Sequence, residues 1–295
     1  MTDISSTNRS TVDRSPGALS QFLRRLFRRR TVAVGIIVLA IFVILAVLAP
    51  WIAPYSPSKL SIVNRLKPPG EMFWFGTDEF GRDVFSRTIY SGRLSLLIGA
   101  AVVTLSALIG VTLGLLAGFF RRLDTPIARL IDAMMAFPDI LLAIALVAAL
   151  GPSLLTVIIA LSIVYAPRLA RIVRASTIVI RELPYVEAAQ ALGISTFHIM
   201  TRHVLRNLVS PILVQGTFLF ASAMLAEASL SFLGLGVSPD IPTWGTMIAA
   251  GRQYVGQADW MTYFPGIAIV LSVLSLQMVG DGLRDLLDPK IGREM

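Results

Sequence analysis

Long apolar runs without a charged residue constrain this chain more than any other feature. The first covers residues 31–52 and contains no Asp, Glu, Lys or Arg. A helix needs about 20 apolar residues to cross the hydrocarbon core of a bilayer. Hydrophobic residues make up 55% of the 295-residue chain and charged residues only 15%, whereas soluble domains average about 25% charged residues. The sequence therefore predicts an all-α integral membrane protein.

Six apolar runs predict six transmembrane helices. Their approximate bounds are 31–52, 94–119, 127–150, 153–165, 211–235 and 264–280, and the third is interrupted at Phe137-Pro138-Asp139. We therefore expect three parts along the chain. These are a cytoplasmic basic tail at 1–30, a first transmembrane helix with an external segment at 31–93, and a core domain of five transmembrane helices at 94–295. An arginine-rich cytoplasmic loop at 166–210 belongs to the core domain.

The distribution of basic residues predicts that both termini are cytoplasmic. With the N-terminus inside, 19 of the 26 Lys and Arg residues fall on the cytoplasmic side, seven of them within the first 30 residues. Short cytoplasmic loops are enriched in these residues. The net charge of +8 then reflects basic segments that lie against anionic lipid head groups. We therefore expect no nucleic-acid partner.

Catalytic and metal-binding patterns are missing from the sequence. None of the three lysines follows a glycine, so the chain has no Gly-Lys-Ser/Thr phosphate-binding loop. It also has no cysteine, which excludes thiolate metal sites and disulfides. His198 and His203 are five residues apart, a spacing that does not share one face of an α-helix. We expect no enzymatic activity, metal or cofactor in this chain.

Three glycines, Gly110, Gly114 and Gly118, repeat at four-residue steps on one face of the second predicted span. Small residues let two membrane helices approach closely. We therefore predict that this stripe packs against another helix. The alternative is ordinary glycine usage in a membrane helix.

Glu227 is the one acidic residue well inside a predicted span. A charged carboxylate at the bilayer centre costs about 2.5–3.5 kcal/mol on insertion scales. Glu227 is thus a candidate for a residue that lines a pathway or gate, or that faces a partner. The alternative is a position near the outer interface with access to water.

A helix–turn–helix is predicted within the arginine-rich loop. Pro184 can open a helix, Gly193 suits the left-handed conformation that ends one, and Ser195 can cap a second helix from Thr196. A small exposed Ala-rich helix is suited to a groove on another protein. An interfacial hairpin is the alternative.

This segment resembles the EAA loop of bacterial ABC-importer permeases. The matching residues are Glu187-Ala188-Ala189, Gly193, Ile199 and Leu205, while Arg206 stands where that family has a proline. In the family, the loop couples the permease to its ATPase. The resemblance therefore implies that the ATPase-coupling residues are Glu187, Ala188, Ala189, Leu192 and Gly193.

Three further segments narrow the resemblance to the C-type permease of the oligopeptide/dipeptide/nickel family. The first is Gly76-Thr77-Asp78-Glu79-Phe80-Gly81-Arg82-Asp83 with Ser86-Arg87 and Gly92-Arg93-Leu94-Ser95. The second is Ala226-Glu227-Ala228-Ser229-Leu230-Ser231-Phe232-Leu233-Gly234-Leu235-Gly236 with Trp244-Gly245, and the third is Gly280-Asp281-Gly282-Leu283-Arg284-Asp285 with Leu287-Asp288-Pro289. The resemblance implies a type I ABC importer permease fold in the bacterial inner membrane.

The same resemblance implies a function and a set of partners. The chain is expected to form half of a pathway for peptides or related small solutes, which an external solute-binding protein delivers. A homologous B-type permease would supply the other half. One or two ABC ATPase subunits would bind ATP and Mg. Two alternatives stay open, an ion-coupled secondary transporter that uses Glu227 and a membrane scaffold without transport activity.

Overall fold

The computed structural model describes residues 29–287. Within these residues the chain forms nine α-helices: α1 Arg30–Ile52, α2 Val84–Phe119, α3 Arg121–Met135, α4 Asp139–Leu150, α5 Leu154–Arg181, α6 Pro184–Ala191, α7 Thr196–Phe232, α8 Trp244–Gly251 and α9 Trp260–Leu287. One stretch of α7, Ile199–Val204, is π-helical. The predicted basic tail, apart from its last two residues, and residues 288–295 lie outside the described part of the chain.

The prediction of an all-α membrane protein is confirmed. Five helices, α1, α2, α5, α7 and α9, are each long and apolar enough to cross a membrane. The third predicted span, at 127–150, is not one straight helix, because α3 and α4 meet at 92°. Pro138 lies at this break, and a proline disfavours helical backbone at the residue before it.

Two helices extend beyond their predicted bounds. Helix α2 begins at Val84, ten residues before the predicted start, because the Asp83 side chain caps it by accepting a hydrogen bond from the Ser86 N–H at 2.8 Å. Helix α5 continues to Arg181, so the predicted loop at 166–210 is wrong for its first 16 residues. Arginines suggested a loop there, but several of them lie on α5 and pair with acidic residues of α3 and α4.

The hydrophobic core lies between α2, α5 and α7, with α4 on its side. Buried residues of this cluster include Ile98, Val102, Val157, Leu161, Leu208 and Leu219. Helix α1 lies outside this core against α2 and α9. Arg29 pairs with Asp285 at one end of that contact. The core therefore places the α6 segment at one end of the bundle and α8 at the other.

Candidate coupling hairpin and outer clasp

The predicted helix–turn–helix is present and joins α5 directly to α7. We call residues 184–204 the hairpin. Helix α6 begins at Pro184, and Gly193 has a φ of +75°, the left-handed conformation expected at the helix end. Helix α7 begins at Thr196, although the Ser195 side chain makes no capping hydrogen bond. The positions were predicted correctly, and only the hydroxyl cap was wrong.

The predicted coupling residues fall on both sides of α6. Glu187 and Ala188 are exposed, whereas Ala189 is buried together with Val186. These two buried side chains belong to the same core cluster as residues at the start of α7. The hairpin is therefore fixed to the bundle by one face of α6, and the opposite face is open.

Large apolar side chains cover the open surface of the hairpin. Leu192 is 81% exposed and Phe197 is 76% exposed, and Tyr185 is also exposed. Exposed apolar surface rimmed by polar residues is typical of a protein or membrane interaction site. The hairpin thus has the features of a docking surface.

The π-helical stretch changes the relation between the two histidines. In an α-helix, residues five positions apart lie on different faces. A π-helix places residues i and i+5 on the same side, and here the ring centroids of His198 and His203 are 6.2 Å apart. His198 and His203 therefore share one face of the helix, contrary to the prediction from their spacing. Within residues 29–287, no group of three or more potential metal ligands includes them.

Glu227 lies near the opposite end of α7, inside a group of hydroxyls that we call the outer clasp. Its side-chain Oε1 accepts hydrogen bonds from Ser231 Oγ and Thr243 Oγ1, both at 2.9 Å. The residue is only 2% exposed, which disagrees with the alternative of a water-accessible site near the interface. Within the described chain, Glu227 ties α7 to the residue that precedes α8.

Thr243 also initiates α8 through a reciprocal capping pair. Its Oγ1 accepts from the Thr246 N–H at 3.0 Å, and Thr246 Oγ1 accepts from the Thr243 N–H at 2.9 Å. Gly245 lies so close to α7 that an added Cβ would be 2.7 Å from the Cα of Ala228. The Glu-Ala sequence on α7 and the Thr-Trp-Gly sequence at the start of α8 therefore form one packed unit.

Trp244 fixes the other side of α8 to α2. Its indole Nε1 donates to the Thr88 carbonyl at 2.8 Å, and its backbone N–H donates to Ser95 Oγ at 3.0 Å. Gly92 leaves room for the ring, since a Cβ there would lie 3.0 Å from it. Trp244 is almost fully buried, so α8 bridges α2 and α7.

The segment between α1 and α2, predicted to be external, is ordered by Asp78. Its Oδ1 accepts from the backbone N–H groups of Phe80 and Arg82, both at 2.9 Å, and its Oδ2 pairs with Arg82 Nε at 2.5 Å. Arg87 of α2 lies 3.5 Å from the same carboxylate. In the sequence, only a family resemblance distinguishes this segment, and these contacts explain its residue pattern.

The three glycines of α2 face α5. An added Cβ at Gly110 or Gly114 would lie 2.7 Å from the backbone carbonyl oxygen of Ala166 or Ala170, respectively, and one at Gly118 would lie 2.5 Å from Thr177 Cβ. The structure thus places the stripe against another helix of the same chain.

Sequence reasoning missed a ladder of ion pairs between the bent helix pair and α5. Arg174 Nε contacts Asp124 at 2.5 Å, Arg171 contacts Asp132 at 2.6 Å, and Arg168 pairs with Asp139. Arginines at three-residue steps in 168–174, with three acids upstream, were the available signal. Without these acids, the same arginines predict a polar loop, which is why the ion pairs were missed.

Comparison with known proteins gives consistent matches. Residues 110–293 match the model of a family described as binding-protein-dependent transport system inner membrane component. Residues 17–69 match the N-terminal TM domain of oligopeptide transport permease C.

Relatives match along nearly the whole chain. A putative peptide transport system permease of Brucella suis is 51% identical, with 95% of this chain and 94% of the relative covered. A di/tripeptide transport system permease of Pseudomonas aeruginosa is 44% identical, covering 94% and 93%. A glutathione transport system permease of Pectobacterium atrosepticum is 41% identical, covering 92% and 91%.

One solved structure, of the MetNI methionine ABC transporter in inward-facing conformations, has a TM-score of 0.54 at 20% identity, over 65% of this chain and 93% of that chain. At this identity the likeness concerns the fold.

Proposed function

Because this chain belongs to the family of binding-protein-dependent transport system inner membrane components, we propose that it forms half of the translocation pathway of an ATP-driven importer for peptides or related small solutes. Its relatives are named as permeases for peptides, for di- and tripeptides or for glutathione. The chain is an integral component of the bacterial inner membrane, and it is not itself an enzyme. ATP and Mg are assigned to separate ATPase subunits.

The exposed apolar surface of the hairpin is the observation that carries the coupling mechanism. Leu192 and Phe197 project from a segment whose other face is buried in the bundle. Glu187 and Ala188 lie on the open face of α6. An ATPase groove that covers these side chains would remove apolar surface from water, which is the main source of affinity in protein association. We assign the ATPase contact to this surface.

The position of the hairpin in the chain explains how such a contact would act on the pathway. Only Glu182 and Leu183 separate α6 from α5, and only the four residues 192–195 separate it from α7. A rigid-body movement of a docked ATPase would therefore be transmitted to two membrane helices at once. Rigid-body rotation of subunits about an interface is a common form of conformational switching.

The outer clasp is suited to act as a gate element at the other end. Helix α8 is attached to α7 by Glu227 and Thr243 and to α2 by Trp244. Movement of α7 relative to α2 would require one of these attachments to rearrange. Glu227 is thus proposed to act at the gate through the clasp and not as an ion-coupling group. A homologous B-type permease, one or two ATPases and an external solute-binding protein would complete the importer.

Substitutions in the hairpin test this proposal. Proline cannot adopt the φ of +75° found at Gly193, and Glu187→Lys reverses the charge in the first turn of α6. We expect Gly193→Pro, Glu187→Lys and the double change Leu192→Ser/Phe197→Ser to abolish uptake in reconstituted importer while the protein still inserts in the membrane. Copurification of the ATPase should be reduced most by the serine variant.

A matched control separates docking from a general effect of lost apolar surface. Val63 is equally exposed but lies in the external segment, so Val63→Ser should leave uptake and ATPase activity unchanged. Normal uptake with normal ATPase stimulation in all three hairpin variants would refute the docking role. Uptake driven by an ion gradient in the absence of any ATPase would refute the proposed function itself.

A further inference from the structure

Helix α3 has an apolar face that the described chain leaves largely uncovered. Its apolar residues recur at helical spacing on one side, and its charged residues lie on the other. The apolar side consists of Leu123, Ile127, Leu130, Ile131 and Met134. Only Ile131 is buried, and Leu130 is 52% exposed. A helix of this kind is typical of a membrane–water interface.

Two observations indicate that α3 lies across the bundle. It meets α4 at 92°. Its residues Asp124 and Asp132 are eight positions apart, about 12 Å along a helix, yet they pair with Arg174 and Arg171, which are only three positions apart on α5, or about 4.5 Å. Since α5 is a membrane-spanning helix, α3 must run at a large angle to the membrane normal.

The pairing with α5 also leaves α3 with a basic surface. Both of its acidic side chains, Asp124 and Asp132, are engaged by arginines of α5. Arg122 and Arg129 are exposed and form no ion pair with any residue from 29 to 287. They are seven positions apart, so they lie about 10 Å apart on one flank of the polar side of the helix. Arginines on such a flank can extend to the level of lipid phosphates while their stems cover apolar surface.

From these observations we propose that α3 is an interfacial helix that binds the anionic phospholipid surface through Arg122 and Arg129, with Leu123 and Leu130 inserted beneath the head groups. Basic side chains at the membrane surface are attracted to anionic lipids. Helix α3 lies at the same end of the bundle as the hairpin, because Arg181 of α5 donates to the carbonyl of Gly118 at 2.8 Å, just before α3. The lipid-bound helix is therefore attached to the helix that leads directly into the hairpin.

The depth of α3 in the bilayer tests the first part of the proposal. The chain contains no cysteine, so Leu130→Cys and Thr125→Cys each introduce a single attachment site for a nitroxide in this chain, within an importer whose other subunits lack reactive cysteines. In vesicles, the label at Leu130 should be relaxed by oxygen, which concentrates in lipid. The label at Thr125, on the polar side, should be relaxed by a water-soluble nickel chelate.

The dependence on lipid charge tests the second part. In vesicles of phosphatidylcholine with increasing phosphatidylglycerol, the label at Leu130 should move deeper. Arg122→Gln/Arg129→Gln should abolish this dependence, and Arg122→Lys/Arg129→Lys should retain it because the charge is kept. Lys59→Gln/Arg65→Gln, which removes two exposed charges from the external segment, should behave as the wild type.

Three results would overturn the proposal. They are a Leu130 label that is reached mainly by the nickel chelate, a label that neither reagent reaches because a protein partner covers it, and a depth that is independent of phosphatidylglycerol in the wild type. The readout is local to α3, so it does not depend on solute uptake or on ATP hydrolysis.

Discussion

Substitution of Gly114 tests whether the close contact between α2 and α5 depends on the absence of a side chain. An added Cβ would lie 2.7 Å from the carbonyl oxygen of Ala170 and 2.7 Å from Val173 Cβ. Both distances are shorter than any real Cβ contact. Even alanine at this position must therefore move one helix away from the other.

The size of the effect follows from the required displacement. Optimal separations between carbon atoms are about 3.5–4.0 Å, so the helices must separate by about 1 Å at Gly114. Overpacking of this kind typically costs about 1–3 kcal/mol. The better helix propensity of alanine offsets this by up to about 1 kcal/mol. We expect a net loss of about 1–2 kcal/mol for Gly114→Ala and a larger loss for Gly114→Leu, with impaired assembly of the importer.

Gly216 of α7 offers a matched control for the assay. The atom nearest to an added Cβ there is Val103 Cγ1, at 3.6 Å, which is an ordinary contact. Thermal unfolding of the purified protein should thus show a lower midpoint for Gly114→Ala and an unchanged or higher midpoint for Gly216→Ala. Equal midpoints for the two variants would show that the stripe does not set the distance between α2 and α5.

Two further predictions concern acidic residues. Glu227→Gln keeps an oxygen that can accept from Ser231 and Thr243, so uptake should fall modestly and stay ATP-dependent. Glu227→Ala leaves two buried hydroxyls without their acceptor and should cost about 1–3 kcal/mol of stability. A pH-dependent wild type with an inactive, pH-insensitive Gln variant would contradict this assignment. In the segment between α1 and α2, burial raises the pKa of Glu79 above its ordinary value of 4.5. The folded state then holds its proton more tightly than the unfolded state, so stability should decrease as pH rises from about 4.5 through the raised pKa. Glu79→Gln should flatten this decrease in a thermal unfolding series, and an unchanged slope would refute it.

Hydropathy predicted correctly the bounds of a helix only where those bounds depend on apolar surface alone. The predicted bounds of the first span, 31–52, differ from those of α1 by one residue, since nothing but apolar surface determines this helix. The start of α2 was missed because it depends on a side-chain cap by Asp83. The end of α5 was missed because its arginines are neutralised by acids up to 50 residues away, as in the Arg174–Asp124 pair.

In the candidate sites, too, the features set by local sequence were predicted and those set by distant contacts were not. The hairpin was predicted because proline and glycine act locally on the backbone at Pro184 and Gly193. The hydrogen-bond partners of Glu227 were not predicted, because Thr243 is 16 residues away and reaches Glu227 only through the docking of α8. The proximity of His198 and His203 was missed because the sequence predicts an α-helix there, whereas Ile199–Val204 is π-helical. Local sequence cannot encode a contact that two separately packed elements create.

Helix α7 is the element that joins the two candidate sites. Glu227 lies 22 residues beyond Leu205, about 33 Å along the helix, which is close to the thickness of the hydrocarbon core. A movement imposed at the hairpin end must therefore either tilt α7 about the outer clasp or open the clasp. Variants at the two ends should then be separable. Gly193→Pro should lose both uptake and solute-stimulated ATPase activity, because the ATPase contact is disturbed. Glu227→Ala should retain stimulated ATPase activity and lose uptake, because movement of α7 would reach the proposed gate after its attachment to Thr243 is lost. Loss of ATPase stimulation in both variants, with normal assembly, would show that the clasp is required for the contact itself and does not act as a separate gate.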